Sequence, residues 1–365
     1  MKIAIDIRTA GGEKTGKGWY TFHLVHELLK LDTENEYILY SKDGIPGFQQ
    51  FKNAELRLID ARGIFWHRKV AKDIVNEDVD VFFAPSSYII PALLPKSIKT
   101  ILTVHDLVAF FFPNTHNKKA TIIEKLFLKR ALKRATKVVT VSENTKNDLI
   151  NKFKYEERKI DVIYCSASDD FKPCEKGSLS SFIKETQLPA QFFLAVGTLE
   201  PRKNYLNLIR AFSQIHEQFP HLNLIIVGGK GWDYEKIFQL IRDNYLQKKV
   251  HMLGYLSNTS LLNLYNLAKA LVFPSYYEGF GIPPLEAMKC GCPVIASFSS
   301  SIPEVVGEAA LLINPENHLE IAGAMAKIMK DENLAESLSN KGLIQARKFS
   351  WEDSAKKLQD IIEKI

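Results

Sequence analysis

Two glutamates, Glu278 and Glu286, stand with seven residues between them in a loop that also holds two glycines and two prolines. An apolar strand ends near Ser275, and the paired prolines predict that a helix starts after the loop. Gly279 and Gly281 let the backbone approach a ligand, and the free N–H groups of a helix N-terminus attract phosphate. Carboxylates accept hydrogen bonds from vicinal hydroxyls, which sugars and ribose carry. The segment predicts a phosphorylated-sugar site. The alternative for Glu286 alone, placed in the first helical turn, is capping.

A basic pair, Arg202 and Lys203, lies between the predicted strand Phe192–Gly197 and the predicted helix Tyr205–Phe219. Arginine can hold a diphosphate by two parallel hydrogen bonds, and lysine holds it as a point charge. Most surface Arg-Lys pairs are solvated turns, but ligands of open α/β sheets bind beyond the carboxyl ends of strands. The position therefore favours a diphosphate-binding role.

The segment Gly11–Trp19 follows the first predicted strand and nearly matches a P-loop. Gly18 stands where that motif needs a magnesium-binding Ser or Thr, which argues against a nucleotide hydrolase. A glycine loop over the phosphates and a plain mobile loop both remain open. His105, followed by Asp106, ends another strand; a lone histidine is more often structural, but this is also a ligand position.

Composition describes a globular protein with anionic partners. The chain has 365 residues, 46% hydrophobic and 25% charged, with a net charge of +6. That length predicts two domains, and the charge suits nucleotides, phospholipid surfaces or nucleic acid. The four cysteines indicate buried free thiols rather than a disulfide framework. Charges occupy the N-terminus where a signal peptide needs an apolar run, so a cytoplasmic location is expected. No Asp-x-Asp metal site is predicted.

The elements that must position these residues alternate between strand and helix along the chain, which predicts α/β domains with parallel sheets covered by helices. A polar, breaker-rich segment, 171–178, is taken as the interdomain linker. The predicted domains are 1–172 and 173–350, with 351–365 as a last helix behind the N-cap Ser350. The predicted strands are Ile3–Ile7, Tyr37–Tyr40, Leu56–Ile59, Val81–Ala84, Thr100–Val104, Val138–Val141, Asp161–Ile163, Phe192–Gly197, Leu224–Gly228, Val250–Leu253, Ala270–Phe273, Pro293–Ala296 and Leu311–Ile313.

These motifs together resemble glycosyltransferase family four, whose members have the GT-B fold. The matching segments are Glu278-Gly-Phe-Gly-Ile-Pro-Pro-Leu-Glu286, Val196-Gly-Thr-Leu-Glu-Pro-Arg-Lys-Asn204, Val227-Gly-Gly, Pro293-Val-Ile-Ala, Ser301-Ile-Pro-Glu-Val-Val-Gly307, Phe349-Ser-Trp351, Val104-His105-Asp106-Leu and Val141-Ser-Glu-Asn-Thr145. The resemblance covers nearly the whole chain and is stronger in the second domain. The Glu-Pro-Arg-Lys-Asn form is similar to that of polysaccharide mannosyltransferases.

The resemblance implies two Rossmann-like doubly wound domains facing a central cleft, the first binding acceptor, the second a nucleotide-sugar donor, and the last helix crossing back to the first. It implies a metal-independent, retaining transfer without cofactor, from GDP-mannose or a UDP-sugar to a glycan or lipid-linked acceptor in surface polysaccharide or lipopolysaccharide synthesis. Thr198 stands where the family often has an arginine, so Arg202 is the candidate substitute. The implied catalytic residues are Arg202, Lys203, Glu278 and His105. The implied donor-binding residues are Gly16, Gly197, Thr198, Gly279, Phe280, Gly281 and Glu286.

Two rival functions stay open: a sugar-nucleotide epimerase of the same fold, and a basic nucleic-acid-binding protein, which lacks a recognisable module. A further alternative concerns the predicted amphipathic helix Lys118–Lys137. Ile122, Ile123, Leu126 and Leu132 are assigned to its apolar side. Such a helix fits peripheral contact with the inner face of a membrane, although packing against the core with a solvated basic face is the favoured interpretation.

Overall fold

The computed structural model describes residues 1–12, 14, 16–113 and 118–365, and for residues 118–120, 176 and 178 it describes the backbone alone. The chain forms two compact units. Unit 1 contains Met1–Pro113, Lys118–Ser166 and Ser350–Ile365, and unit 2 contains Ala167–Phe349. The boundary falls before the predicted linker because the ammonium of Lys289 in unit 2 contacts the Ala167 carbonyl at 2.9 Å and the Asp169 carboxylate at 2.8 Å.

Unit 1 is built on a seven-stranded parallel sheet in the order β3-β2-β1-β4-β5-β6-β7. Its strands are β1 Lys2–Asp6, β2 Glu36–Ser41, β3 Ala54–Leu58, β4 Val81–Ala84, β5 Lys99–Val104, β6 Lys137–Thr140 and β7 Ile160–Val162. Its helices are α1 Gly16–Leu31, α2 Gly63–Asn76, α3 Ile89–Leu93, α4 Val108–Phe111, α5 Lys118–Arg134 and α6 Glu143–Phe153. Short 3-10 turns span Arg8–Ala10 and Glu157–Lys159.

Unit 2 repeats this plan with a six-stranded parallel sheet, β10-β9-β8-β11-β12-β13. Its strands are β8 Gln191–Val196, β9 Leu222–Val227, β10 Val250–Gly254, β11 Ala270–Phe273, β12 Val294–Ser297 and β13 Ala310–Ile313. Its helices are α7 Ser180–Thr186, α8 Tyr205–Ile215, α9 Glu235–Asp243, α10 Asn258–Leu267, α11 Ile282–Lys289, α12 Ile302–Val306, α13 His318–Lys330 and α14 Glu332–Ala346, with 3-10 turns at Lys176–Leu179 and Pro201–Lys203. The last helix of the chain, α15 Trp351–Glu363, belongs to unit 1.

Both sheets have the strand order of a Rossmann fold, with a topological switch between the first and fourth strands of each unit. The central strands read as continuous apolar runs because helices bury both faces: every residue of β4 and β11 is buried. The predicted strands all form, shifted by a residue or two, and the predicted Rossmann-like α/β fold is confirmed. Helix α8 ends at Ile215, short of the predicted Phe219.

The amphipathic helix α5 packs through a different side from the one predicted. Leu128 is fully buried and Leu132 is 4% exposed, whereas Ile122 is 59% and Leu126 67% exposed. The predicted apolar side is therefore wrong for Ile122 and Leu126, because residues spaced three and four apart from Leu128 follow the buried stripe. The favoured interpretation, a core-packed helix with a solvated basic face, agrees with this packing. Part of this segment, the side chains of residues 118–120, lies outside the described residues.

Helix α15 has a defined start and a defined place in unit 1. Ser350 caps it, its side chain accepting the Asp353 N–H, as predicted. The Ser354 hydroxyl donates to the Tyr164 carbonyl at 2.8 Å, and Trp351 stacks on His23 of α1. These contacts hold the C-terminal helix against unit 1 along its buried face.

Candidate active site

Two loops of unit 2 meet at the switch point of its sheet, since β8 and β11 are adjacent parallel strands. The loop after β8 carries Arg202 and Lys203, and the loop after β11 carries Glu278. The Tyr276 N–H donates to the Arg202 carbonyl at 2.9 Å, which joins the loops directly. Asn204, in the left-handed region at φ 61°, donates from its amide to the Pro274 carbonyl at 3.0 Å. Residues far apart in sequence are thus fixed side by side.

Arg202 and Lys203 form one largely buried ion cluster with Glu200 and Glu278. The Lys203 ammonium lies 2.6 Å from Glu278 Oε1, and Arg202 Nη1 lies 2.6 Å from Glu278 Oε2. Arg202 also donates to Glu200 Oε1 at 2.6 Å and to the Tyr277 carbonyl at 2.7 Å. Lys203 lies 5.0 Å over the ring of Phe273. Two cations and two carboxylates therefore balance each other in this cluster.

Burial and charge act in opposite directions on these groups. Burial works to raise the pKa of Glu278, but Arg202 and Lys203 outweigh it, and the pKa lies below its usual value. Burial lowers the pKa of Lys203, opposed by Glu278. Removing one member of a buried pair is costly, since it strands the opposite charge away from water.

Glycines at this edge make room for close backbone packing. A Cβ on Gly228 would lie 2.0 Å from the Gly197 carbonyl oxygen, and one on Gly231 would lie 2.6 Å from the Leu199 oxygen. Gly197 itself has φ 144°, and a Cβ there would lie 3.1 Å from Lys203 Cε. The aliphatic part of the Lys203 side chain therefore packs directly against Gly197, and this contact limits where the ammonium can lie.

The loop of Glu278 is held rigidly by serines and by one glycine. The Glu278 N–H donates to Ser300 Oγ at 2.8 Å, and the Ser301 hydroxyl bonds the carbonyls of Glu278 at 3.0 Å and Phe280 at 2.8 Å. Gly281 precedes α11 with φ 114°, where a Cβ would lie 2.7 Å from Ile302. The Phe280 ring is buried against Phe349, so only the backbone of Phe280 can meet a ligand.

Glu286 is not in the first helical turn, contrary to expectation, because α11 starts at Ile282. It cannot cap that helix, so the capping alternative is wrong, and its binding role stays a prediction. Its Oε2 accepts the Tyr265 hydroxyl at 2.8 Å. Burial raises the pKa of Glu286 to about 7, although the Tyr265 hydrogen bond acts to lower it. Gly279 and Thr198 lie in the same two loops as Glu278 and Arg202.

Two predicted residues, His105 and Gly16, lie in unit 1. The His105 Nε2–H donates to the Pro85 carbonyl at 2.7 Å, which leaves Nδ1 as the acceptor nitrogen of a neutral ring. Burial, with a smaller contribution from Lys17, lowers the pKa of His105 to about 4. Gly16 begins α1. Gly18 is required because a Cβ there would lie 2.5 Å from the Thr9 carbonyl. Glu13 and Thr15 of the predicted glycine loop lie outside the described residues.

The sequence contains an Asp-x-Asp triplet, Asp78-Val-Asp80. It stands at the amino end of β4, where Asp80 accepts the Lys2 N–H at 2.8 Å, and the candidate site is at the carboxyl ends of strands in the other unit. Within the described ranges, no group of three His, Cys, Asp or Glu residues is placed to hold a metal ion. The four cysteines are free thiols, and Cys174 alone is partly exposed.

Two family models match successive parts of the chain. Glycosyltransferase Family 4 matches residues 15–171, and Glycosyl transferases group 1 matches residues 180–345. O-antigen chain mannosyltransferase B of Escherichia coli is 32% identical over 97% of both chains. O-antigen chain mannosyltransferase RfbU of Salmonella typhimurium is 34% identical over 67% of this chain and 64% of its own length. The chain belongs to this family of glycosyltransferases and is a transferase enzyme.

Solved structures agree on the GT-B glycosyltransferase fold. Anabaena HepE in complex with UDP-glucose superposes with a TM-score of 0.82 over the whole of both chains at 18% identity. WaaG, a glycosyltransferase involved in lipopolysaccharide biosynthesis, has a TM-score of 0.77 over 99% of both chains at 16% identity. At these identities the likeness establishes the fold alone.

Sequence reasoning missed two residues that complete the site. Glu200 pairs with Arg202, and it stands inside the motif already singled out, so its position was a usable signal. Tyr265 holds Glu286 from α10, and no spacing in the sequence indicates that contact. The structure brings Arg202, Lys203, Glu278 and Gly197 together, whereas His105 and Gly16 belong to unit 1. The functional roles predicted for them stay predictions.

Proposed function

We propose that this enzyme transfers a hexose, with mannose as the first candidate, from a nucleoside-diphosphate sugar to a glycan or lipid-linked acceptor of a surface polysaccharide, with retention of configuration. The observation that carries the proposal is the buried cluster of Arg202, Lys203 and Glu278 at the carboxyl ends of adjacent strands. Full-length similarity to an O-antigen chain mannosyltransferase supports the choice of sugar. GDP-mannose is accordingly the first donor to test, ahead of UDP-sugars.

Donor binding is an exchange of partners in this account. Arg202 and Lys203 take the diphosphate, whose added negative charge competes with Glu278 for both cations. Glu278 then accepts hydrogen bonds from hydroxyls of the hexose, which sugar but not bare nucleotide can supply. The whole donor therefore satisfies every buried charge, whereas a nucleoside diphosphate leaves Glu278 competing for its cations.

The transfer step needs no protein nucleophile. The bond from the anomeric carbon to the phosphate oxygen breaks, the acceptor oxygen bonds to that carbon on the same face, and the acceptor proton passes to the departing phosphate. Charge grows on the diphosphate as that bond breaks, and two fixed cations stabilise it more in the transition state than in the ground state. Arg202 and Lys203 thereby supply the charge that a divalent metal provides in other enzymes.

Glu286 and His105 are assigned lesser roles in the same proposal. The Glu286 carboxylate accepts ribose hydroxyls, with Tyr265 holding its other side. His105 Nδ1, the acceptor nitrogen of the neutral ring, takes a hydroxyl of the donor sugar. Thr198 and the Gly16, Gly197, Gly279 and Gly281 backbones border the phosphates, with Phe280 contributing only its main chain.

A peripheral place at the cytoplasmic face of a membrane is also part of the proposal. Exposed Ile122 and Leu126 on α5 stand among basic residues, and a groove of about 620 Å³ is lined by Lys129, Arg130 and Lys133 with Leu126 and Phe153. Such a surface suits anionic lipid headgroups. None of the helices in the described ranges is long and apolar enough to cross a membrane. Flotation with vesicles of anionic or zwitterionic lipid tests this part.

The central test is a donor screen with product analysis. The purified enzyme is incubated with GDP-mannose, UDP-glucose or UDP-galactose and a membrane extract containing lipid-linked glycans, with and without excess chelator. Transfer of mannose to the lipid fraction, unaffected by chelator, is expected. Conversion of the donor without any acceptor would establish the epimerase instead, and strict dependence on a divalent metal would overturn the account of the cations. Oligonucleotide binding that falls steeply with salt would favour the nucleic-acid alternative.

A further inference from the structure

A second charged cluster lies in unit 1, at the switch point of its own sheet. Arg8 lies two residues after the end of β1, and β1 lies between β2 and β4, where the crossovers diverge. Its guanidinium stacks 4.5 Å over the ring of Trp66, and Nη1 donates to His67 Nε2 at 3.1 Å. Both partners come from the start of α2. The side chain of Arg8 is nevertheless 24% exposed, so part of its fork faces solvent.

Two neutral side chains, Trp66 and His67, hold Arg8 in place. Arginine carries only donors, so His67 must accept at Nε2 and is neutral, and burial lowers the pKa of His67 to about 3. The Asp6 carboxylate forms a loose ion pair with Arg8, 3.9 Å from Nη2, which is too long for a hydrogen bond and leaves the N–H groups on that side able to take another acceptor. Within the described part of the chain, buried atoms Asp6 Oδ2, His67 Nδ1 and Trp66 Nε1 have no hydrogen-bond partner. Native proteins rarely leave such groups unpaired without a reason.

We propose that Arg8, held by Trp66 and His67, binds an anionic oxygen group of the acceptor, either a phosphate or a carboxylate. A planar guanidinium stacked on an aromatic ring binds the paired oxygens of a phosphate or carboxylate better than it binds a single hydroxyl. Lys42 adds positive charge near His67. The assignment of this group to the acceptor rests on the proposed function, because the donor cluster is in unit 2. The anion site itself stands on the geometry of unit 1.

Direct binding to the full chain tests the proposal without needing the natural acceptor. The donor site is first saturated with GDP. Calorimetry then measures the affinity of the protein for pyrophosphate, for methyl glucuronide and for the neutral methyl mannoside. Arg8→Gln should weaken binding of the anionic probes about 10- to 100-fold and leave the neutral one unchanged. Arg8→Lys keeps the charge but loses the planar pair of donors, so its affinity for the anionic probes should lie between those of the wild type and Arg8→Gln. Lys42→Gln is the matched control for loss of a nearby positive charge and should change binding less than Arg8→Gln.

The outcomes separate this site from the donor site. If only pyrophosphate binds at Arg8, the acceptor group is a phosphate. If only methyl glucuronide binds there, the acceptor group is a carboxylate. Anion binding that is absent in the wild type, or equal in wild type and Arg8→Gln, overturns the proposal, as does a loss confined to methyl mannoside. GDP affinity is measured first on each variant, and failure of every protein to bind GDP would count against the proposed function instead. Arg8→Lys keeps the test valid should Arg8→Gln unfold.

Discussion

Replacing Glu278 by glutamine should change GDP affinity and the rate of sugar transfer in opposite directions. The carboxylate bonds both Arg202 and Lys203 at 2.6 Å in a buried position. A glutamine of the same shape removes the charge that a diphosphate must compete with. It also weakens the acceptor that the hexose hydroxyls would use. We therefore expect Glu278→Gln to bind GDP more tightly while transferring sugar more slowly.

The magnitude follows from the bonds that change. A hydrogen bond to a charged group contributes about 1.5–3 kcal/mol, so weakening one competing contact should tighten GDP binding about 10- to 100-fold. The loss of hexose contacts should reduce kcat by a similar factor or more. Like charge left between Arg202 and Lys203 should also lower the melting temperature of the free variant, and GDP should restore it.

Glu200→Gln is the matched control. Glu200 bonds Arg202 from the other side at 2.6 Å and has no contact of this kind with Lys203. Glu200→Gln should bind GDP more tightly, because it weakens the contact that competes for Arg202. The variant should keep most of the turnover, because no hexose contact is assigned to Glu200. Calorimetry with GDP and steady-state kinetics with a fixed acceptor measure both quantities. A weaker affinity of Glu278→Gln for GDP would refute the reasoning that the donor exchanges partners with Glu278.

Three further predictions address other parts of unit 2. Lys203→Ala should lower kcat about 30- to 1000-fold, or roughly 2–4 kcal/mol, and a change confined to the donor KM would contradict leaving-group stabilisation. Glu286, with its pKa raised to about 7, should be protonated in acid and accept ribose hydroxyls poorly, so donor affinity should fall as the pH drops below 7, and Glu286→Gln should flatten that profile. Gly228→Ala should destabilise unit 2 by about 2 kcal/mol or more, measured by urea unfolding, whereas Gly229→Ala, with open space at its Cβ, should not.

The sign of the Glu286 effect on stability follows from linkage. A carboxyl whose folded pKa lies above its unfolded value favours the folded state when protonated. The contribution is fully present below the unfolded pKa and is lost as the pH rises through about 7. Stability and donor affinity should therefore move in opposite directions with pH near neutrality. An affinity that rises on acidification would show that Glu286 binds its ligand as the neutral acid.

The sequence predicts the sheet and the loops well because short apolar runs between breakers are a local signal. It places Arg202, Lys203 and Glu278 correctly at strand ends, and parallel pairing of β8 with β11 then brings them together. It does not predict the Tyr265 contact to Glu286, since that depends on how α10 packs against α11. The sequence predicts the apolar side of α5 wrongly at Ile122 and Leu126, because these exposed residues are as hydrophobic as the buried ones.

Charge balance explains why Glu278 and Glu286 should respond differently to donor binding. Glu278 is held ionised by two cations, so it already has partners before any ligand arrives. The Glu286 carboxylate is bonded by the neutral Tyr265 hydroxyl, and burial disfavours its charge. Donor binding must therefore take partners away from Glu278 but supply them to Glu286. Two glutamates with seven residues between them thus respond oppositely to loss of charge: glutamine at 278 frees cations for the diphosphate, and glutamine at 286 removes a hydroxyl acceptor.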